Sequence, residues 1–455
     1  MNITLINPPS GLDYKTLPQT GDSPPLGLMN IASVLEKDGH RVNIIDASAN
    51  RYEVDKTVKE TLRENPDIIG ITSMTTTYHI AKMIARRLKK VTNSPIVLGG
   101  LHATTMTKQC LDSGLFTYVI VGEGEISFPK LVNAIEKVKS KDIPGVNYCK
   151  KNKNIFNKEE FIKDLTKFPI RAWHLIDIKK YRPSPASYMK LPAVSTMISR
   201  GCPNGCIFCA SKAIFGLTFR PHSERQIVDE LTLLKEKGIK DINFWDVNFA
   251  CDREYTIRVS KLIGKLGFVW NITTRCDSVD EKLLNIMANN GCYEIGYGIE
   301  AGTQETLDKI NKNYTLDMIR KTVKATKKAG IHVKCYFSIG YPWQDKQDIR
   351  KAIEFAKELN PHIVTFSIIA PYPGSDLYKR EAQKLINSDF IDMTHRSAKY
   401  TVSQHFDEEQ LIKIMNKAYT EFYIRPRHIM ESIKSIKSFM DIKRMVRSVR
   451  FVLNI

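Results

Sequence analysis

The sequence predicts an α/β protein in two parts, a doubly wound parallel sheet followed by an open barrel of strand and helix units, ending in a helical segment. Three observations carry this. Five short apolar runs alternate with helical patterns in the first 140 residues. Six more apolar runs alternate in the same way between about residues 190 and 385. Between the two series lies Gly201-Cys202-Pro203-Asn204-Gly205-Cys206-Ile207-Phe208-Cys209, a glycine-bearing loop with its cysteines spaced C-x3-C-x2-C.

The first series consists of Ile3 to Ile6, Val42 to Ile45, Ile68 to Ile71, Ile96 to Leu98 and Tyr118 to Val121. The helical patterns between and after them are Leu28 to Lys37, Asp55 to Arg63, Tyr78 to Lys90, Thr104 to Asp112 and Ile126 to Val138. Repeated alternation of this kind calls for a parallel, flavodoxin-like sheet. Ligands of such sheets bind beyond the carboxyl ends of the strands. Those ends carry Asn7-Pro8-Pro9, Thr72-Ser73, Gly99-Gly100-Leu101-His102 and Gly122-Glu123-Gly124-Glu125. Paired glycines there let backbone approach a bulky ligand, and equally serve as turn residues.

A polar and then proline-rich stretch, Ser140 to about Lys190, marks a boundary with a small hairpin and a crossing segment. Tyr188 and Met189 either line a site or pack. Beyond it the strand candidates are Val194 to Ser199, Ile242 to Trp245, Phe268 to Thr273, Glu294 to Ile299, Val333 to Ile339 and Ile363 to Ile369. Helical patterns such as Glu224 to Glu236, Val279 to Ala288, Leu316 to Ala329 and Lys346 to Leu359 separate them. This is a partial (β/α)6, TIM-like barrel, whose chemistry belongs at the carboxyl ends of its strands. The expected division is 1–140, a connector over 141–190, a barrel over 191–385 and a helical region over 386–455.

Soft thiolates select an iron-sulfur cluster or zinc. Structural zinc is normally closed by a fourth nearby Cys or His. The next cysteine is Cys251, and the nearest histidine, His222, lies beyond a Phe-Arg-Pro segment. Three ligands suit a 4Fe-4S cluster with one iron left open, with a zinc knuckle or buried thiols as the alternatives.

These residues resemble the radical S-adenosylmethionine (SAM) superfamily. The resemblance implies a cluster on Cys202, Cys206 and Cys209 whose open iron chelates SAM, with Phe208 against the adenine. Arg275-Cys276-Asp277, Gly298-Ile299-Glu300-Ala301-Gly302, Gly340-Tyr341-Pro342 and Ala370-Pro371-Tyr372-Pro373-Gly374 follow in that family's order. They imply SAM contacts by Asp246, Arg275, Glu300, Gly340 and Pro371. Two departures bear on the substrate: Val247 stands where a second acid is usual, and Trp343-Gln344 where Gly-Glu is common.

Ahead of this, Pro24-Pro25-Leu26-Gly27-Leu28, Gly99 to Thr104 and Val121 to Glu125 are similar to the cobalamin-binding domain of cobalamin-dependent members. The implied cobalamin contacts are Asn7, Pro8, Thr72, Ser73, Gly99, Gly100, His102, Gly122, Glu123 and Gly124. Asp38-Gly39-His40 imitates the start of the D-x-H-x-x-G signature, but Asn43 replaces its last glycine and it enters the second strand. Cobalamin is therefore expected base-off, with no histidine on cobalt.

Composition fits an enzyme of a reducing cytoplasm. The 455 residues are 42% hydrophobic and 26% charged, and six of the nine cysteines are scattered singly. That is no disulfide framework. Residues 1 to 9 are not a signal peptide, and no apolar run is long enough to span a bilayer. The net charge of +19 is mostly lysine scattered along helices, with no appended nucleic-acid module of interleaved aromatics. From His428 to Ile455, apolar residues recur at helical steps among basic ones. That helix either rests peripherally on anionic lipid or caps the open side of the barrel. The resulting expectation is a radical SAM enzyme that methylates an unactivated carbon of a small or lipid-like molecule. It would be served by an external one-electron reductant of flavodoxin or ferredoxin type. Oxidative cyclisation, RNA modification and a non-catalytic sensor are the alternatives.

Overall fold

A computed structural model describes residues 1–10, 23–137, 142–181, 187–381, 385, 390–391, 393–394 and 397–434. Its strands are β1 (Asn2–Asn7), β2 (Arg41–Asp46), β3 (Ile68–Thr72), β4 (Ile96–Gly99), β5 (Tyr118–Ile120), β6 (Val146–Lys150) and β7 (Lys153–Ile155) in the first sheet. Next come β8 (Ala193–Thr196), β9 (Ser199–Arg200), β10 (Arg220–Pro221), β11 (Asp241–Phe244), β12 (Val269–Thr274), β13 (Cys292–Glu300), β14 (His332–Ile339) and β15 (Ile363–Ile368).

The first sheet runs β2-β1-β3-β4-β5-β6-β7. Its first five strands in that order are parallel, as the alternation requires, because each crossover carries a helix. The hairpin of β6 and β7 joins antiparallel to β5, so the connector's hairpin extends the sheet rather than bridging independently. Apolar clusters cover both faces, one around Ile69, Ile84 and Leu98 and the other around Leu5, Leu35 and Leu131. The helix expected over Thr104 to Asp112 is instead two short helices, Leu101–Thr105 and Thr107–Asp112, broken at Met106. Threonines 104, 105 and 107 each bond back to a preceding carbonyl in this region, which competes with a continuous ladder.

The second sheet is parallel throughout, in the order β15-β14-β13-β12-β11-β8, so its strands follow one another in space as in sequence. The outward residues Ile242, Ile272, Ile295, Tyr297, Val333, Phe337 and Phe366 join one large core with the surrounding helices. Helix Arg253–Leu266, capped by Asp252 and closed by Gly267, supplies Val259 and Ile263 to that core.

Helix Glu408–Tyr423 closes the side of the barrel at β15. Asp407 and Gln410 cap it reciprocally, at 3.0 and 2.8 Å. Its Tyr419 and Tyr423, one turn apart, stack along the β15 edge. Tyr419 Oη accepts from Phe366 N at 3.1 Å and donates to Phe366 O at 2.9 Å; Tyr423 Oη does the same for Val364, at 3.1 and 2.9 Å. Phenols thus occupy the backbone groups that another strand would take. A second helix, Pro426–Lys434, follows, and the basic residues from 435 onward lie outside the described residues. Among the described residues no helix is long and apolar enough to cross a membrane.

Tyr188 and Met189 sit at the amino-terminal floor of the barrel. The amides of Met189 and Lys190 donate to Asp241 at the start of β11, at 2.5 and 2.9 Å, and Asn271 reaches Ser187 O at 3.2 Å. They close the end opposite to where chemistry occurs.

Candidate functional site

The cysteine loop leaves β9 at the mouth of the barrel, between the two sheets. Gly201 begins it with φ +80°, and a Cβ there would come within 2.1 Å of Thr218 O, so only glycine lets the chain pass its own return. The loop is fastened from outside. Ile207 N donates to Ile310 O at 3.2 Å, Asn311 Nδ2 to Gly205 O at 2.9 Å, and Leu377 N to Ile207 O at 2.8 Å.

Each sulfur has one polar neighbour. Asn204 Nδ2 lies 3.4 Å from Cys202 Sγ, Arg275 Nη1 3.6 Å from Cys206 Sγ, and Ser211 Oγ 2.9 Å from Cys209 Sγ. Burial pushes the Cys206 thiol pKa up, while Lys312 and Arg275 pull it down. Three soft donors with cations and hydrogen-bond donors around them fit an anionic iron-sulfur cluster, whose potential such bonds tune. Among the described residues no three Cys, His, Asp or Glu side chains form a single-ion site.

Beside the loop lies a buried charged group. Glu300 ends β13 at φ +71°, past an irregularity in its register with β14, and accepts from Lys312 Nζ at 3.2 Å and Ser338 Oγ at 2.9 Å. Lys312 also stands 5.7 Å over Phe208 and 5.6 Å over Tyr314. Arg275 is held by Asp277 at 2.9 and 2.7 Å and by Lys312 O at 2.6 Å. Phe208 meets Tyr341 edge-on at 6.3 Å, and Gln344 Oε1 accepts from Gly340 N and Tyr341 N at 2.9 and 3.2 Å, so the Trp-Gln departure is a local turn lock. Phe208, Arg275 and Glu300 therefore gather around the cysteines, while Gly340 precedes the Tyr341 that meets Phe208 and itself faces Leu411. Pro371 is buried just past β15. The sequence reading missed Lys312 and Tyr314, which lie in no recognised motif.

Asp246 stands apart from this group. It is 3% exposed, and its carboxylate accepts from Ile198 N at 3.2 Å and from the Ser199 hydroxyl. Burial lifts its pKa to about 6 against those bonds. It fixes the backbone that enters β9.

At the first sheet, Thr72, Ser73, Gly99 and Gly100 come together. Ser73 N donates to Gly99 O at 2.9 Å, and Gly100, at φ +96°, is packed so that a Cβ would meet Ser73 O at 2.6 Å. Gly99 has nothing within 4 Å on its Cβ side. A bare strand end of this kind is a cradle that fits the edge of a corrin. Asn7, bonded to Asp46 at 2.9 Å, and buried Pro8 end the neighbouring strand.

His102 is not in a ligand-facing loop: it is fully buried, stacked on Tyr78 at 4.0 Å and bonded through Nε2 to Gln109 at 3.1 Å. Burial drives its pKa down to about 4. Gly122, Glu123 and Gly124 are likewise covered, by Glu159, by arginines and by Ile31. Glu123 accepts from Arg200 at 2.8 Å, Arg220 at 2.6 Å and Ile162 N at 3.1 Å, while Glu125 accepts from Arg200 at 2.6 Å. All four side chains are buried. Arg200 and Arg220 face each other across β9 and β10, so one carboxylate pins both ends of the cysteine-bearing segment. Arg171 makes a second anchor, paired with Glu230 at 2.7 Å on the far side of β8.

Comparison with known proteins agrees with this arrangement. Residues 18–132 match the B12 binding domain and residues 196–356 the radical SAM superfamily. An uncharacterized methyltransferase of Pyrococcus horikoshii is 33% identical, over 98% of this chain and 97% of its own. The anaerobic magnesium-protoporphyrin IX monomethyl ester cyclase of Rubrivivax gelatinosus is 28% identical, over 81% of this chain and 68% of its own. A radical SAM methyltransferase from Kitasatospora setae, solved with cobalamin and a [4Fe-4S] cluster, superposes with a TM-score of 0.70 at 18% identity, over 85% of this chain and 75% of its own. With a B12-binding sheet, a radical SAM barrel and a relative alike along almost its whole length, the chain belongs to the cobalamin-dependent radical SAM enzymes, which work with cobalamin, a 4Fe-4S cluster and SAM.

Proposed function

We propose that the enzyme methylates an unactivated carbon of a small molecule held between the two sheets. The observation that carries this is the Glu123 clamp, which ties the cysteine-bearing segment to the sheet that carries the glycine cradle. Together the cofactors supply a hydrogen-abstracting adenosyl radical and a methyl donor.

The chain's own residues bind, orient and exclude water. Cys202, Cys206 and Cys209 hold the cluster. Phe208, Arg275, Glu300, Gly340 and Pro371 frame SAM, with Lys312 and Ser338 fixing the Glu300 carboxylate. Asp246 acts by positioning the entry to the cysteine loop rather than by touching SAM. Thr72, Ser73, Gly99 and Gly100, flanked by Asn7 and Pro8, cradle cobalamin without a histidine on cobalt. Glu123 joins the sheets instead of contacting the corrin. We assign the cobalamin unit to 1–140, the connector to 141–190, the barrel to 191–385 and the C-terminal helical, basic region to 386–455. An external one-electron reductant serves the cluster. Reversible lipid contact through the basic tail is a separate proposal, tested by flotation with anionic and neutral vesicles.

The deciding experiment is anaerobic incubation of reconstituted enzyme with a reductant, candidate extracts and SAM bearing a deuterated methyl group, read by mass spectrometry. A product heavier by one labelled methyl supports the reading. Formation of 5′-deoxyadenosine with unlabelled, oxidised product would replace it by cyclisation, the reaction named for the Rubrivivax relative. Stoichiometric zinc with no iron would sink both.

A further inference from the structure

The interiors of closed barrels of this class are normally packed with branched apolar side chains. Here the apolar face of the sheet is the outer one, and the inner face is polar. Along β14 exposure alternates, with Val333, Cys335, Phe337 and Ile339 buried outward and Lys334, Tyr336 and Ser338 partly exposed inward. The register puts Thr273 and Gly296 beside Lys334, Gly298 and Thr365 beside Tyr336, and Ser367 beside Ser338, with Asn243 on β11 facing the same space. Gly296 makes room for Tyr336, whose ring lies 2.8 Å from where a Cβ would stand.

Within this lining Lys334 bonds to Tyr336, and the other polar groups are not occupied with one another. Among the described residues the side chains of Asn243, Thr273, Thr365 and Ser367 make no hydrogen bond to protein. Lys334 Nζ stands 5.2 Å over the Tyr336 ring and forms no ion pair among the described residues. Glu294 faces the lumen one pair lower, beside His332. Burial works against the Lys334 charge, but Tyr336 and Glu294 hold its pKa above the ordinary lysine range. These side chains are only partly buried, so their unmatched groups face water or a ligand.

We propose that the lumen binds an oxyanion of the substrate, a carboxylate or a phosphorus oxyanion, on Lys334, with Tyr336, Thr273, Asn243 and Thr365 as hydrogen-bonding partners. The inference rests on the methyltransferase reading and narrows its substrate to a small anionic molecule, entered head-first with its reacting carbon at the mouth near Glu300. A lipid-like substrate would have no use for this lining.

Ligand-observed NMR on reconstituted enzyme tests it, with acetate and methylphosphonate as the two oxyanions and acetamide as the neutral probe. Wild type should bind at least one oxyanion about tenfold more tightly than acetamide, a margin in line with one charge-assisted bond. Lys334→Met should erase that margin and Lys334→Arg should keep it. Whichever oxyanion is favoured distinguishes carboxylate from phosphorus chemistry. No oxyanion preference, or one that survives Lys334→Met, overturns the proposal. Iron content and reductive SAM cleavage are measured on the same samples. Iron content should be unchanged in Lys334→Met, and the absence of iron or of SAM cleavage from wild type would defeat the methyltransferase reading instead.

Discussion

Glu123 accepts a hydrogen bond from Arg220 at 2.6 Å although the two are 97 residues apart. Its other oxygen takes Arg200, two residues before the first cysteine, at 2.8 Å. Removing one member of a buried ionic group leaves its partners charged and unmatched, at about 3–5 kcal/mol. Glu123→Gln should lose that much stability in chemical denaturation, whereas breaking the exposed, solvent-screened pair of Arg253 and Asp280 should change it little. In the reconstituted variant, the pulsed-EPR distance between the reduced cluster and Co(II) should broaden. A sharp, wild-type distance would show that the clamp does not set the spacing.

The phenols on helix Glu408–Tyr423 predict a second effect. Tyr419→Phe keeps the ring and removes only the hydroxyl that serves Phe366 N and O. The buried backbone pair then has no partner, which costs about 1–3 kcal/mol. Urea midpoints for Tyr419→Phe, Tyr423→Phe and the double variant measure it. A double variant as stable as wild type would mean that β15 does not depend on the helix for its edge.

Asp246 gives a pH dependence with a definite sign. Burial raises its pKa from 3.8 to about 6, so the folded state holds the proton more tightly than the unfolded chain. The stability this contributes is fully present below 3.8 and is lost as pH rises through about 6. A shift of that size corresponds to about 3 kcal/mol at 1.36 kcal/mol per unit. Between those pH values wild type should lose stability relative to Asp246→Asn by that order. Parallel curves for the two proteins would show that the carboxylate ionises normally.

Both sheets were legible in the sequence because period and length agreed: short apolar runs such as Ile68 to Ile71 and long amphipathic ones such as Glu224 to Glu236 leave little choice of state. The cysteine loop was legible from spacing alone. What sequence could not give was the use of residues whose partners are distant. Glu123 reads as a strand-end acid and Arg200 and Arg220 as isolated bases, until the fold brings them together across the sheets. His102 follows a glycine pair, as a ligand would, yet it turns under the helix onto Tyr78. The polar lumen was written in the alternation of β14, but a strand's period does not say which of its faces meets the helices.

The adjacent glycines at the end of β4 separate folding from cofactor binding. Gly100 is required by the fold, since its φ of +96° and the 2.6 Å approach to Ser73 O exclude a side chain. Gly99 is not, because the space on its Cβ side is open to 4 Å. Gly100→Leu should therefore lower the yield of folded protein, while Gly99→Leu should fold with wild-type stability and place its side chain in the cradle assigned to cobalamin. Purified Gly99→Leu should keep its iron and reductive SAM cleavage but lose most bound corrin, read from the base-off absorbance. His102→Ala should leave that absorbance unchanged in shape, because the imidazole is stacked on Tyr78 and bonded to Gln109. If Gly99→Leu retained a full complement of cobalamin, the corrin would have to rest elsewhere. If His102→Ala turned a histidine-ligated spectrum into a base-off one, the absence of a histidine on cobalt would be wrong.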